Sequence, residues 1–245
     1  MHIDLNCDMG ESFGAYSLGD DAAILPYITS ANVACGFHAG DPLVMEATVH
    51  LCAAAGVRVG AHPSTPDLQG FGRREMSLSP EEAEALVLYQ VGALAAFCRA
   101  AGIELTHVKP HGALYNQAAR DPILAQAVAR GAARFSRELV LVGLAGSALM
   151  AAAAAAGLAA AGEGFPDRAY NPDGSLRSRR LPGAVLDDPE QVAANAVRLA
   201  REGILTPQGS LPVDTLCLHG DNPIAAAAAR AVRAALEAAG IHVKA

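Results

Sequence analysis

Short strand-like runs alternate with longer helix-like runs along the whole chain. Runs of apolar and β-branched residues predict seven strands, at 2–8, 28–36, 57–62, 104–111, 138–144, near 157–165, and at 214–220. Helical patterns lie between them, at 42–56, 79–101, 121–136, 146–156, 189–202 and 223–239. Repeated strand–helix units are typical of a parallel sheet that carries its helices on the outside.

Residues that favour helix ends support these boundaries. An N-cap residue followed by proline starts four of the helices, at Asp41, Ser79, Asp121 and Asp188. Glycines close others, at Gly56, Gly102, Gly157, Gly203 and Gly240. No G-x-G-x-x-G motif follows the first strand, which disfavours an open dinucleotide-binding sheet. We therefore expect an α/β fold, with residues 1–245 forming a single seven- or eight-stranded (β/α) barrel domain.

Composition narrows the class of protein. The chain has 245 residues, 52% of them hydrophobic, and its net charge of −7 disfavours nucleic acid as a partner. Its five cysteines form no C-x-x-C pair, which is typical of buried thiols in a reducing compartment. The acidic start is unlike a signal peptide, and the longest apolar run is rich in alanine and interrupted by glycine. We expect a cytoplasmic protein that associates with no membrane.

The first predicted strand is polar on one face and apolar on the other. Asp4, Asn6 and Asp8 alternate with Ile3, Leu5 and Cys7. In a (β/α) barrel the outer face of each strand packs on apolar helices, so the polar face points into the barrel. Polar groups buried there need a ligand or each other, because an unsatisfied buried polar group is unfavourable.

Four histidines lie where a predicted strand meets its following loop. They are His38, between Gly36 and Gly40, and His62, His111 and His219. The carboxyl ends of barrel strands form the rim on which barrel enzymes build their active sites. Together with the acidic first strand, these histidines predict an active site at that rim. Each of them alone is equally compatible with a structural role.

Two further features leave alternatives open. Asp and His side chains from strand ends, such as Asp8, His38 and His62, are candidate ligands for a divalent metal, although no H-x-x-x-H spacing supports one. The loop at 63–78 ends near Arg73 and Arg74, and it is either a lid over the rim or a docking loop for a partner. No G-x-x-x-x-G-K-[ST] motif is present, so another chain would have to hold any ATP that the reaction uses.

The longest of these segments resemble one known family. The segments "IDLNCDMGESFGAY", "SANVACGFHAGDP", "GAHPSTPDLQGFGRREM", "HVKPHGALYN" and "LCLHGDNP" occur in the order and spacing of the LamB/YcsF family of bacterial 5-oxoprolinase A subunits. The resemblance implies a barrel related to glycoside hydrolases and polysaccharide deacetylases. It also implies ATP-dependent hydrolysis of the lactam 5-oxo-L-proline to L-glutamate. Two partner subunits, B and C, would bind the ATP and its Mg²⁺.

The family pattern also implies which residues form the site. The implied catalytic residues are Asp8, His38, Lys109, His111 and His219. The implied substrate-binding residues are Asn6, Glu11, His62, Asp167, Arg168 and Asp221. Candidate general bases are Asp8 and His38, and candidate acids for the leaving nitrogen are His219 and His62. Lys109 with His111 would stabilise the oxyanion, and Arg168 would hold the substrate carboxylate.

Two other interpretations of the chain compete with this one. A stand-alone metal-dependent deacetylase or amidohydrolase would act without ATP or partners and would lose activity to chelators. A non-catalytic subunit would only bind the substrate, so that substitutions at the rim weaken binding and leave the chemical step intact.

Overall fold

The structure, a computed structural model, describes residues 1–218 and 225–245. Its strands are β1 (His2–Met9), β2 (Ser30–Ala34), β3 (Arg58–His62), β4 (Leu105–Val108), β5 (Val140–Leu144), β6 (Ala159–Gly164), β7 (Ile204–Thr206), β8 (Gly209–Leu211), β9 (Thr215–Leu218) and β10 (His242–Val243). Strands β1 to β6 pair in sequence order, β9 pairs with β6, and β9 also pairs with β1. All these pairings are parallel, so seven strands close into a barrel.

Helices surround this barrel. They are α1 (Asp21–Ile24), α2 (Pro42–Ala55), α3 (Pro80–Ala100), α4 (Gly112–Arg120), α5 (Pro122–Phe135), α6 (Ala148–Ala156), α7 (Pro189–Glu202) and α8 (Ala225–Ala238). The predicted α/β barrel is confirmed, and the strand count is seven. Each of the seven predicted strands corresponds to a barrel strand. Residues 219–220 of the last predicted strand and 223–224 of the last predicted helix lie outside the described part of the chain.

The apolar core lies between the strands and the helices. Ile3, Leu5 and Met9 of β1 are fully buried on the outward face, as the alternation along the strand predicts. Helix α3 is long and apolar enough to cross a membrane by length and composition alone. Its face containing Val87 and Leu94 is fully buried in this core, which is typical of the core helix of a barrel.

The predicted N-caps are present in the structure. The side chains of Asp41, Ser79, Asp121 and Asp188 accept hydrogen bonds from backbone N–H groups in the first turns of α2, α3, α5 and α7. At Ser79 the bond is reciprocal, because the Glu82 side chain accepts from the Ser79 backbone. These contacts fix where each helix begins, and therefore how long each loop at the rim is.

The sequence patterns missed three elements. Helix α4 begins at Gly112 without a side-chain cap, and only Asp121 separates it from α5. The antiparallel hairpin β7–β8 lies outside the barrel, and β10 adds to the outer side of β1. All three are short or lack a start signal, so hydrophobic periodicity alone did not identify them.

Candidate active site

The bottom of the barrel interior is a layer of hydroxyl groups around Asp4. Its carboxylate accepts hydrogen bonds from Thr29 and Ser30 next to β2 and from Thr215 of β9. These bonds tie β1 to both of its barrel neighbours. Asp4 therefore stabilises the seam at which the barrel closes.

An amide and histidine layer lies above it. Asn6 donates to Thr215 (2.7 Å), and its Oδ1 accepts from Asn32 (2.8 Å). His107 Nε2 donates to Asn32 Oδ1 at 3.0 Å. A Cβ on Gly60 would overlap the His107 ring, so the glycine gives this ring its space. The amide of Asn6, a predicted substrate ligand, is thus part of the interior network.

Three charged groups meet above this layer. Lys109 Nζ lies 2.9 Å from Asp8 Oδ1 and 2.8 Å from Glu163 Oε1. Burial alone would lower the pKa of Lys109, but Asp8, Cys217 and Glu163 outweigh burial and raise it well above its ordinary value. Lys109 is therefore a permanent cation. The other oxygen of Asp8, Oδ2, lies 3.3 Å from His62 Nε2.

Two histidines of the rim have tautomers that the backbone fixes. His62 Nδ1 lies 2.7 Å from the Lys109 carbonyl, and His111 Nε2 lies 2.8 Å from the Phe71 carbonyl. A carbonyl only accepts, so these two nitrogens carry the protons. Burial and then His62 lower the pKa of His111 to about 3, so its ring is neutral and its Nδ1 carries a lone pair. That lone pair faces His62 Nε2 at 3.0 Å.

His38 stacks on this pair from the turn after β2. Its ring is parallel to that of His111, with centroids 3.8 Å apart. Burial, then His111 and His62, hold the pKa of His38 well below its ordinary value. Neither ring nitrogen makes a hydrogen bond to any residue in the described ranges, although Nε2 lies 3.5 Å from Glu11 Oε1.

These side chains form a cluster that could hold a metal ion. One ligand atom from each of Glu11, His38, His62 and His111 lies within 4.8 Å of all the others. Asp8 and Glu11 come from β1 and the loop after it, and the histidines follow β2, β3 and β4. The sequence therefore predicted the elements that meet here, and the structure adds Glu11 and His111 to the candidate ligands His38 and His62.

The loop after β3 covers the cluster. Phe71 has a left-handed backbone (φ 54°), its carbonyl accepts from His111, and its ring contacts His38 and His111 edge-on. The side chains of Asp67 and Arg74 form an ion pair across the base of this turn. Under the loop, His38 and His62 are each only 1% exposed. Of the two predicted uses of this segment, the lid is the one that these contacts favour.

Other predicted site residues lie around this centre. The Arg168 guanidinium donates to the carbonyls of Ala184 and Arg177 and so holds the loop that follows β6. Asp167 is buried beside it. The structure thus gives Arg168 a structural role, and its contact with a substrate carboxylate stays a prediction. His219 and Asp221 lie outside the described residues.

Sequence reasoning missed Glu163 and its partner Tyr115. Glu163 is fully buried on β6, and its Oε2 accepts from the Tyr115 hydroxyl at 2.7 Å. The signal was a single acid in the small-residue strand "AAAGEG", because an acid is rarely fully buried unless it is paired. Tyr115 belongs to helix α4, which the patterns also missed.

Comparisons with known proteins agree with this architecture. The family model described as "LamB/YcsF family" matches residues 3–245. A 5-oxoprolinase A subunit of Chloroflexus aggregans is 57% identical over 248 aligned residues, covering 100% of this chain and 98% of the relative. The crystal structure of a lactam utilization protein from Thermus thermophilus superposes with a TM-score of 0.93 at 50% identity, covering 100% and 99% of the two chains.

A more distant structure shares the fold alone. A T48 deacetylase solved with its substrate superposes with a TM-score of 0.51 at 14% identity, covering 99% of this chain and 86% of that one. The family assignment rests on the matches that span both chains at high identity. This chain belongs to the LamB/YcsF family.

Proposed function

We propose that this chain is the ring-opening subunit of an ATP-dependent 5-oxoprolinase and hydrolyses the lactam 5-oxo-L-proline to L-glutamate. Relatives named as the A subunit of 5-oxoprolinase match its whole length. The observation that carries the proposal is the Asp8–Lys109 ion pair, buried directly beneath the rim histidines. It places a carboxylate base and a permanent cation where water would attack an amide carbonyl.

The chemistry of a lactam defines what these residues must do. The ring amide is stabilised by resonance, so its carbonyl must become more electrophilic before water attacks. Of the two candidate bases, we assign the role to Asp8. His38 is kept neutral by its low pKa, but it is fully covered by Phe71 and His111. Asp8 is the more accessible, with a side chain 13% exposed.

The charge that develops on the carbonyl oxygen needs a nearby cation. We assign that stabilisation to Lys109, whose charge acts at short range in a buried site. His111 Nε2 is committed to the Phe71 carbonyl, so His111 orients the covering loop instead of donating to the oxyanion. For the leaving nitrogen we propose His219, the residue that follows β9, as the acid.

Activation by ATP requires other chains. The sequence holds no P-loop, and the relatives are named as one lettered subunit of their enzyme, which implies a multi-subunit assembly. We propose that two partner subunits, B and C, bind ATP with Mg²⁺ and deliver an activated lactam to the rim, in the cytoplasm. Arg168 and Asp167 remain our candidates for contacts to the substrate, with Asn6, Glu11 and Asp221.

The test is reconstitution. Glutamate is measured from 5-oxoproline and ATP with the two partner subunits, with and without this chain. We expect glutamate only when the chain is present. Equal glutamate formation without it would refute the assignment.

We also propose that the four-residue cluster binds a divalent ion such as Zn²⁺. The lone pairs of His62 and His111 face each other at 3.0 Å, an arrangement that needs a cation or a shared proton between them. Nitrogen and oxygen ligands of Zn²⁺ lie about 2.0–2.2 Å from the ion, so two ligands are roughly 3.3 Å apart, which fits the observed spacing. A bound ion would polarise the carbonyl of the lactam.

Metal analysis tests this proposal without relying on activity. We expect about one divalent ion per chain after incubation with Zn²⁺ and desalting, and loss of that ion in His38→Ala and His62→Ala chains. His50→Ala, on the exposed side of α2, is the control that should keep it. A metal-free wild type would instead favour a proton shared by His62 and His111.

The cluster also favours a second candidate function, metal-dependent hydrolysis of an amide without ATP. This alternative predicts turnover of N-acetylated sugars or simple lactams by the isolated chain, and loss of that turnover on treatment with a chelator. Turnover only with ATP and both partners would exclude it.

A further inference from the structure

We infer that Glu163 is a positioning residue for the ring-opening step, because it shares the Lys109 ammonium with Asp8 and so leaves Asp8 basic enough to act. The inference rests on the proposed function, and it concerns a residue that touches neither the cluster nor the rim. Glu163 is 0% exposed and lies on β6, beside the buried end of Lys109.

The contacts of Lys109 carry the argument. An ammonium has three protons. Here its Nζ lies near four acceptors: Glu163 Oε1 at 2.8 Å, Asp8 Oδ1 at 2.9 Å, Cys217 Sγ at 3.1 Å and Asn6 Oδ1 at 3.3 Å. The two shortest contacts go to the two carboxylates. The single positive charge is therefore divided between Asp8 and Glu163.

Glu163 is itself held in place from the other side. Its Oε2 accepts from Tyr115 at 2.7 Å, and the Tyr115 ring packs edge-on against Phe165. A buried carboxylate is tolerated only when it is paired and hydrogen-bonded, and both oxygens of Glu163 meet that condition. Helix α4 and strand β6 thus fix where the ammonium sits along the barrel axis.

The division of charge has a chemical consequence. If Glu163 were neutral, Lys109 would interact mainly with Asp8, and a carboxylate held by an undivided cation is a weaker base. The ammonium would also move toward Asp8 and away from its position between the two strands. Both effects slow the step that Asp8 carries out, and neither alters contacts with a substrate above the rim.

The first variant is Glu163→Gln, which keeps the size of the side chain and removes its charge. In the reconstituted reaction we expect kcat to fall by about tenfold or more with KM within about twofold, because only the chemical step is affected. Glu163→Asp keeps the charge and should recover part of kcat. The matched control is Glu84→Gln, which removes an acid that pairs with Arg130 and Arg134 outside the barrel, and it should behave like wild type.

A double variant separates positioning from mere folding. If Glu163 acts through Lys109, then Lys109→Met with Glu163→Gln should be no slower than Lys109→Met alone. A loss that multiplies in the double variant would overturn the inference, as would wild-type kcat in Glu163→Gln.

A variant that keeps the charge decides the matter if Glu163→Gln does not fold or Lys109→Met gives no measurable glutamate. Tyr115→Phe removes one hydrogen bond to Glu163, and we expect kcat to fall about threefold with KM unchanged. Unchanged kcat in Tyr115→Phe would then overturn the inference. The wild-type chain in the same assay separates the two proposals, because its failure to yield glutamate refutes the proposed function itself.

Discussion

Asp8 joins the cation beneath the site to the histidines above it. One carboxylate oxygen accepts from Asn32 and Lys109, and the other faces His62. This arrangement leaves its charge as the feature that matters for water activation. Asp8→Asn keeps the shape of the side chain and removes that charge.

We expect Asp8→Asn to lower glutamate formation by about 100-fold or more, because it removes the general base. The assay is the reconstituted reaction, with circular dichroism to verify folding. Glu46→Gln, an exposed acid of helix α2, serves as the control and should keep full activity. A fully active Asp8→Asn chain would remove Asp8 from the mechanism.

The side chains at the rim were largely predictable, and their protonation was not. Alternation along β1 identified Asp8, and strand ends identified His38 and His62, because both signals follow from backbone periodicity. The tautomers of His62 and His111 depend on carbonyls of Lys109 and Phe71, which are close only in the folded chain. No sequence pattern encodes such contacts.

At the scale of elements, the turn between β2 and α2 controls where His38 lies. Gly40 has φ 75°, and a Cβ there would lie 2.7 Å from the carbonyl oxygen of Ala34. The turn therefore needs glycine both for its backbone conformation and for space. Gly56, at the end of α2, has a similar φ of 68°, but a Cβ added there would have nothing within 4 Å.

These two glycines form a matched pair. Gly56→Ala should lower the free energy of unfolding by about 1 kcal/mol, the cost of a left-handed alanine. Gly40→Ala adds a steric overlap, so we expect a loss of at least about 2 kcal/mol together with lower activity. Urea unfolding measures both. Equal losses would mean that the turn can shift without strain.

Most elements were predicted because each has its own local signal. The N-caps at Asp41, Ser79 and Asp121 are side-chain contacts within one turn, so the sequence alone specifies them. Helix α4 has no such cap, and tertiary packing of Leu114 and Tyr115 stabilises it instead. It carries Tyr115, so missing this helix also meant missing the partner of Glu163.

At the scale of the whole molecule, closure of the barrel depends on the pairing of β1 with β9. Thr215 donates to Asp4 and accepts from Asn6, and so joins the first and last barrel strands inside the barrel. Strand number could not be read from the sequence, since seven and eight strand–helix units give similar patterns. The seam residues are distant in sequence, so their contacts exist only once the barrel has closed.

Thr215→Val should lower the free energy of unfolding by about 1–3 kcal/mol, because it leaves buried polar groups of Asp4 and Asn6 short of a partner. Thr48→Val is the matched control. The Thr48 hydroxyl only donates to the Val44 carbonyl within its own helix, so its loss should change stability little. Equal stability of the two variants in urea would show that the seam does not depend on Thr215.

The alternation along β1 also has an evolutionary meaning. Outward residues such as Leu5 pack on the helices, and inward residues such as Asp8 contact only the polar interior and the rim. A substitution on one face is therefore selected through folding, and a substitution on the other through catalysis. Mutations can change the reaction of such a barrel while leaving its architecture intact, which makes the fold a durable scaffold for new chemistry.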